Sequence, residues 1–105
     1  MIYSHWTLLY AADNKNHVTW FDSMGESAPP VSVERRMDDM GRQKVYNIFD
    51  YQQYGSNSCG YWAAYAADFF RVKGDSGQSA LNALKKRFSP INLRANERAL
   101  YSHFH

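Results

Sequence analysis

The chain is short of several things that usually announce a function. It holds one cysteine, Cys59, in 105 residues. That excludes an internal disulfide and any zinc or iron–sulfur site built from several cysteines. No apolar run approaches the roughly 18 residues of a membrane-spanning helix. The opening stretch MIYSHWTLLYAAD has no basic segment ahead of its apolar run, which Ser4 and His5 interrupt, so it does not read as a secretory leader. Neither sign of charge dominates, with 12 Lys and Arg against 10 Asp and Glu and a formal net charge of +2. Internal repeats and low-complexity segments are absent. These absences point to a cytoplasmic domain whose lone thiol stays reduced.

Aromatic side chains are abundant instead: 3 Trp, 8 Tyr and 6 Phe make 16% of the residues. A disordered chain lacks that aromatic mass, so residues 1–105 are expected to form one packed domain. Charge is unevenly spread. Residues 1–75 carry 7 basic and 9 acidic side chains, whereas residues 76–105 carry 5 basic ones against Glu97 alone. A basic tail this small reads as a solvated helix face. It is not interleaved with aromatics as nucleic-acid surfaces are, so nucleic acid is not an expected partner, and neither is a membrane.

Residues 2–11 are β-branched and aromatic enough to predict a strand, and Asp13-Asn14-Lys15-Asn16 a turn. Residues 17–22 predict a second strand, which makes a hairpin. The segment 32–42 predicts a short helix with Ser32 as its cap, and 44–51 a third strand. From Tyr61 to Phe70 the only non-apolar residue is Asp68, the pattern of a helix buried on all sides, with Gly74 closing it. Leu81, Leu84 and Phe88 fall at helical spacing over 78–88, and Pro90 ends that helix. Asn92 caps a last helix whose stripe is Leu93, Leu100 and Phe104. Asn96 and Glu97 interrupt that stripe. The order β-β-α-β-α-α-α makes the chain α+β. Trp6, Trp20 and Trp62 read as core residues.

Cys59 follows a Gly/Ser/Asn loop and opens the apolar helix. A helix N-terminus stabilises a thiolate, although a lone cysteine is ordinarily a small buried hydrophobe. A thiolate nucleophile needs a base within reach and a third group to hold that base. Of His5, His17, His103 and His105, the last two lie in a terminal segment, and His5 sits in an apolar strand where its ring must find a partner. A turn centred on residues 13–14 pairs positions that sum to about 27, which sets His5 opposite Asp22. Asp22 also suits a simple turn-capping role before Ser23 and Met24. An oxyanion needs donors, and Gln52 or Gln53 ahead of the cysteine loop can add a side-chain amide.

The run His5-Trp6, Asp22-Ser23 closing an aromatic strand, Gln52-Gln53, and Ser58-Cys59-Gly60 resembles the ubiquitin-like-protein-specific cysteine proteases. This is the clan of the SUMO-deconjugating enzymes, adenovirus protease and bacterial deubiquitinating effectors. The resemblance selects Gln53, six residues ahead of Cys59. It implies a papain-like core: a β-hairpin and third strand on a buried helix that starts at the nucleophile, then two C-terminal helices. It implies His5 as general base, Asp22 as its orienter, Cys59 as nucleophile, Gln53 as an oxyanion donor and Trp6 as a substrate-contacting shelter. It requires no cofactor. Many members carry Asp immediately before the cysteine; Ser58 stands there in this chain.

The match covers the catalytic half of such a domain. The N-terminal portion, a helical subdomain that grips the modifier's tail, has no counterpart before Met1. The expected activity is cleavage of ubiquitin or a ubiquitin-like modifier from conjugates. Two alternatives stand beside it. One is an acetyltransferase effector of the same clan working through an acetyl-cysteine, whose members tend to carry Glu where Asp22 stands. The other is a non-catalytic module that binds a ubiquitin-like protein, a missing N-terminal half or a second copy of the chain.

Overall fold

Val18, Thr19, Trp20 and Phe21 are all buried, so both faces of this segment are covered. That is the signature of a central strand and explains why its sequence is an unbroken apolar and aromatic run. The computed structural model describes residues 5–25, 28–53 and 56–105. Among them lie three strands and four helices: β1 (Leu8–Tyr10), β2 (His17–Phe21), α1 (Val31–Asp39), β3 (Gln43–Tyr46), α2 (Cys59–Lys73), α3 (Gln78–Lys85) and α4 (Leu93–Phe104). The sheet order is β1-β2-β3, with β1 antiparallel and β3 parallel to β2. The chain is therefore α+β, in the expected order of elements.

Side chains alternate across β2 as strand geometry requires. Val18 and Trp20 pack with Met37 of α1, flanked by Leu9, Val33, Met40 and Tyr46. Phe21 faces the other way, into a larger core with Tyr51, Trp62, Ala66, Phe70, Leu81, Leu84 and Leu100. The sheet is thus a thin middle layer, with α1 on one face and the three later helices on the other. The Cα radius of gyration is 13.5 Å, close to the about 13 Å of a folded chain this long.

Several boundaries differ from expectation. The first strand spans three residues, not ten; His5 lies ahead of it, and residues 2–4 fall outside the described residues. Leu8 pairs with Phe21 and Tyr10 with Thr19, so paired numbers sum to 29 where a turn at 13–14 gives 27. The connection is longer than a two-residue turn, with Asn14 in the left-handed region at φ 61°. Pro30, not Ser32, occupies the N-cap of α1, and Gly41 at φ 65° ends it early. Freed from the helix, Arg42 reaches back to donate to the Ala12 carbonyl at 2.8 Å. The third strand stops at Tyr46 because Asn47 turns the chain: its Oδ1 accepts from the Phe49 N–H, and its Nδ2 donates to the Phe49 carbonyl.

The helix α2 is longer than the apolar run suggests and is not buried all round. Trp62, Tyr65, Ala66, Phe69 and Phe70 face the core, while Tyr61 is 43% and Val72 71% exposed. Gly74 closes it at φ 68°, as expected. Phe88 falls beyond the end of α3 yet packs edge-on against Tyr51, Trp62 and Tyr65. Asn92 caps α4, its Oδ1 accepting from the Ala95 N–H at 3.1 Å. No helix of the described residues is long and apolar enough to cross a membrane.

Leu84 joins α3 to this larger core and is 1% exposed. Replacing it with Ala leaves a cavity that rigid aromatic neighbours cannot fill. Leu84→Ala is expected to cost about 2–5 kcal/mol of unfolding free energy, read by denaturant titration.

Candidate active site

The site is assembled from the end of β2 outward. Asp22 follows the last residue of the central strand and is 1% exposed. Its backbone carbonyl accepts from the Gly25 N–H at 2.9 Å and from the Asn47 side-chain amide at 2.7 Å. Its carboxylate Oδ1 accepts from the Met24 N–H at 2.9 Å and lies 2.7 Å from His5 Nε2. The turn-capping role and the histidine contact thus fall on the same oxygen. A carboxylate only accepts, so the histidine donates through Nε2 and its remaining ring nitrogen is Nδ1.

His5 meets Asp22 although the two are not opposite in the ladder register. The strand pairing has ended before His5, and an imidazole spans the two-residue offset. The His5 side chain is 26% exposed, not the buried strand residue expected. The next peptide runs against the thiol: the Trp6 N–H donates to Cys59 Sγ at 3.3 Å. Cys59 is the first residue of α2 and is 4% exposed. Residues distant in sequence, 5–6, 22 and 59, are therefore gathered in one place.

Trp6 is not a core residue, at 66% exposed. Its ring stands over the first turn of α2, where a methyl added to Gly60 would sit 3.7 Å away. Trp6, Gly60 and Asn57 line an open cleft of about 430 Å³ together with Tyr61, Ala64 and Phe104. The open face of α2, which the apolar pattern did not reveal, forms one of its walls. Tyr61 in turn stacks against Phe104 and Tyr101 of α4, with ring centroids 5.4 and 5.5 Å apart.

The two glutamines divide their roles. Gln52 is buried, accepting from the Ser23 hydroxyl and donating through Nε2 to the Ser56 carbonyl at 2.7 Å. Gln53 is exposed, and its side chain is free of hydrogen bonds among the described residues; its backbone N–H donates to Glu97 Oε1 at 3.2 Å. Nearby, burial pushes the Asp50 carboxyl above its ordinary range, the Gln52 N–H bond draws it down, and the negative charge of Asp22 adds to the rise. Asn47 and Glu97 went unremarked in the sequence as site residues, and Gln52, an oxyanion-donor candidate there, is a buried residue that ties Ser23 to Ser56. The one available signal was polarity where apolar residues were due, at Glu97 on the α4 stripe and at Asn47 in a predicted strand.

No family model, curated protein or solved structure matches this chain.

Gly25 closes the turn that holds Asp22. It sits at φ 73°, and a Cβ there would meet Asp50 N and the Phe49 carbonyl carbon at 3.0 Å. Both neighbours are backbone and cannot move aside cheaply. Gly74 shares a positive φ but has open space around it. Gly25→Ala is expected to cost about 1–3 kcal/mol, more than Gly74→Ala, by thermal or urea unfolding. Equal costs would show that the crowding against Phe49 and Asp50 is of no consequence.

Proposed function

We propose that the chain is a thiol hydrolase of papain-like architecture, the catalytic half of a protease that cleaves ubiquitin or a ubiquitin-like modifier such as SUMO from its conjugates. The observation that carries this reading is the 2.7 Å His5–Asp22 contact lying one peptide from the group that touches Cys59 Sγ. Neither feature is needed for the core. A buried aspartate reaching a part-exposed histidine beside a thiol at a helix start is costly without a chemical use.

In the proposed reaction, His5 Nδ1 takes the Cys59 thiol proton as Sγ bonds to the carbonyl carbon of the scissile amide and the C=O π pair moves to oxygen. The oxyanion collapses, the C–N bond breaks, and His5 Nδ1 delivers its proton to the leaving amine. Water then attacks the thioester as His5 takes its proton, and the thiol is released. Asp22 holds the Nε2 proton and steadies the imidazolium, as the third member of such triads does. The Cys59 N–H and the exposed Gln53 amide are the donors in view for the oxyanion. Trp6 narrows the approach along the cleft, which favours an extended tail of small residues. A cytoplasmic location suits a single thiol that must stay reduced.

Ubiquitin and SUMO bearing a C-terminal propargyl amide test the reading directly. Wild-type protein is expected to form a covalent adduct with one of them, and Cys59→Ala none, read by intact mass. A folded wild-type protein that captures neither would sink the assignment to this substrate class. Asp22→Asn preserves an acceptor for the Met24 N–H while removing the charge beside His5. It is expected to slow capture on the order of 10²-fold without loss of fold.

A further inference from the structure

The helix α4 carries two consecutive polar residues, Asn96 and Glu97, on a face that is otherwise apolar, and both are buried. Both reach the segment that leads to the cysteine. Asn96 donates through Nδ2 to the Tyr51 carbonyl at 3.3 Å and to the Ser89 carbonyl at 2.7 Å, and its Oδ1 accepts from the Ser89 N–H. Glu97 Oε1 accepts from the Ser58 hydroxyl at 2.8 Å and from the Gln53 N–H at 3.2 Å. Its second oxygen, Oε2, is buried with no partner among the described residues. A carboxylate that is 7% exposed and half-satisfied is expensive to keep in a domain this small.

The partners of Glu97 explain the arrangement. Ser58 is the N-cap residue of α2, and serine at that position ordinarily turns its oxygen onto the N–H groups of the first turn. Here Ser58 makes no such capping bond. Its hydroxyl is taken instead by Glu97, while Ser56 Oγ donates to Ser58 Oγ at 2.9 Å. The N–H groups at the start of α2, next to Cys59, are left free of the usual side-chain cap. The same carboxylate oxygen fixes the backbone of Gln53, whose side chain is exposed.

We infer that Glu97 is a positioning residue: by holding the Ser58 hydroxyl and the Gln53 N–H on one oxygen, it keeps the first N–H groups of α2 open to an oxyanion at Cys59. The inference rests on the thiol-hydrolase reading, and it acts on the oxyanion step, not on the formation of thiolate.

Two reactions of Cys59 separate these steps without any protein substrate. Iodoacetamide alkylation, in which Sγ displaces iodide, passes through no oxyanion. Acylation by p-nitrophenyl acetate, in which Sγ bonds to the acetyl carbon and p-nitrophenolate leaves, does. Glu97→Ala is expected to slow acylation about tenfold to a hundredfold while alkylation changes by less than about threefold. Glu97→Gln keeps an acceptor in place and is expected to restore most of the acylation rate. Glu97→Leu, which fills the space with an apolar group, carries the test with the same selective loss if Glu97→Ala does not fold, whereas Ser58→Ala leaves no hydroxyl to cap those N–H groups and is expected to acylate within about threefold of wild type. Acylation and alkylation falling together, or neither changing, in Glu97→Ala or in the Glu97→Leu that replaces it overturns the inference. A wild-type protein that is alkylated but never acylated at Cys59 overturns the thiol-hydrolase reading itself, and this inference with it.

Discussion

The burial of Asp22 at the end of the central strand is the constraint around which the site is organised. A carboxylate at 1% exposure must be surrounded by donors, and the chain supplies them from both sides in sequence. The Met24 N–H and His5 both reach its Oδ1, while the Gly25 N–H and the Asn47 side-chain amide hold the backbone carbonyl of the same residue. Those bonds explain features that otherwise look unrelated. Gly25 needs its left-handed conformation so that the turn can close against Phe49 and Asp50. The third strand ends at Tyr46 because the Asn47 side chain bonds to the Asp22 carbonyl and its neighbour Phe49, and the chain bends away from the ladder. His5 is drawn from the strand edge toward Asp22, which sets the following peptide against the cysteine sulfur.

The packing of the sheet makes that constraint rigid. With α1 on one face and α2 on the other, β2 has no freedom to slide or twist without disturbing two cores. Thr19 adds a polar tie on the α2 side, its hydroxyl donating to the Ser76 carbonyl in the α2–α3 connection. On the far side, Lys44 bridges Glu34 and Asp38 of α1 to β3. Asp38 and then Glu34 raise the Lys44 pKa, and Lys44 followed by Tyr46 lowers that of Glu34. Those groups are solvent-facing, so they register the helix on the sheet and add little stability. The site thus sits at the edge of the most constrained strand in the molecule.

The long periodic elements were legible in the sequence because burial and capping leave marks at fixed spacing. Gly74, Asn92 and the pair Leu81 and Leu84 all act where the pattern puts them. Short strands were not bounded correctly, since three or four residues carry no period and side-chain hydrogen bonds such as those of Asn47 decide where pairing ends. The meeting of His5 and Asp22 was anticipated from a register that is two residues off. The expectation survives because a side chain several ångströms long tolerates such an offset where a backbone ladder does not. Trp6 was misread for a different reason. Its strand neighbours are apolar, yet it lies ahead of β1, where no pleat dictates which way a side chain faces.

The contrast between Gln52 and Gln53 shows where adjacency in sequence misleads. The chain bends at Gln52, and Tyr51 and Gln52 are both buried while Gln53 is exposed. Gln52 is turned inward, where Ser23 and Ser56 occupy both ends of its amide. An amide bonded at both ends and 2% exposed holds the loop from the inside. Gln53, turned outward with its backbone anchored to Glu97, keeps its amide free. The described residues on either side of this loop are therefore held by a polar network of Gln52, Ser23, Asn96, Glu97 and Ser58. Buried networks of this kind rigidify only when nearly every member is satisfied. The exception, Glu97 Oε2, lies on the very group that takes the Ser58 hydroxyl away from capping α2. A fold selected for stability alone would put an apolar residue at position 97 and let Ser58 cap the helix. This chain does the opposite, and Glu97 is thereby set apart from Leu100, which shares its buried helix face.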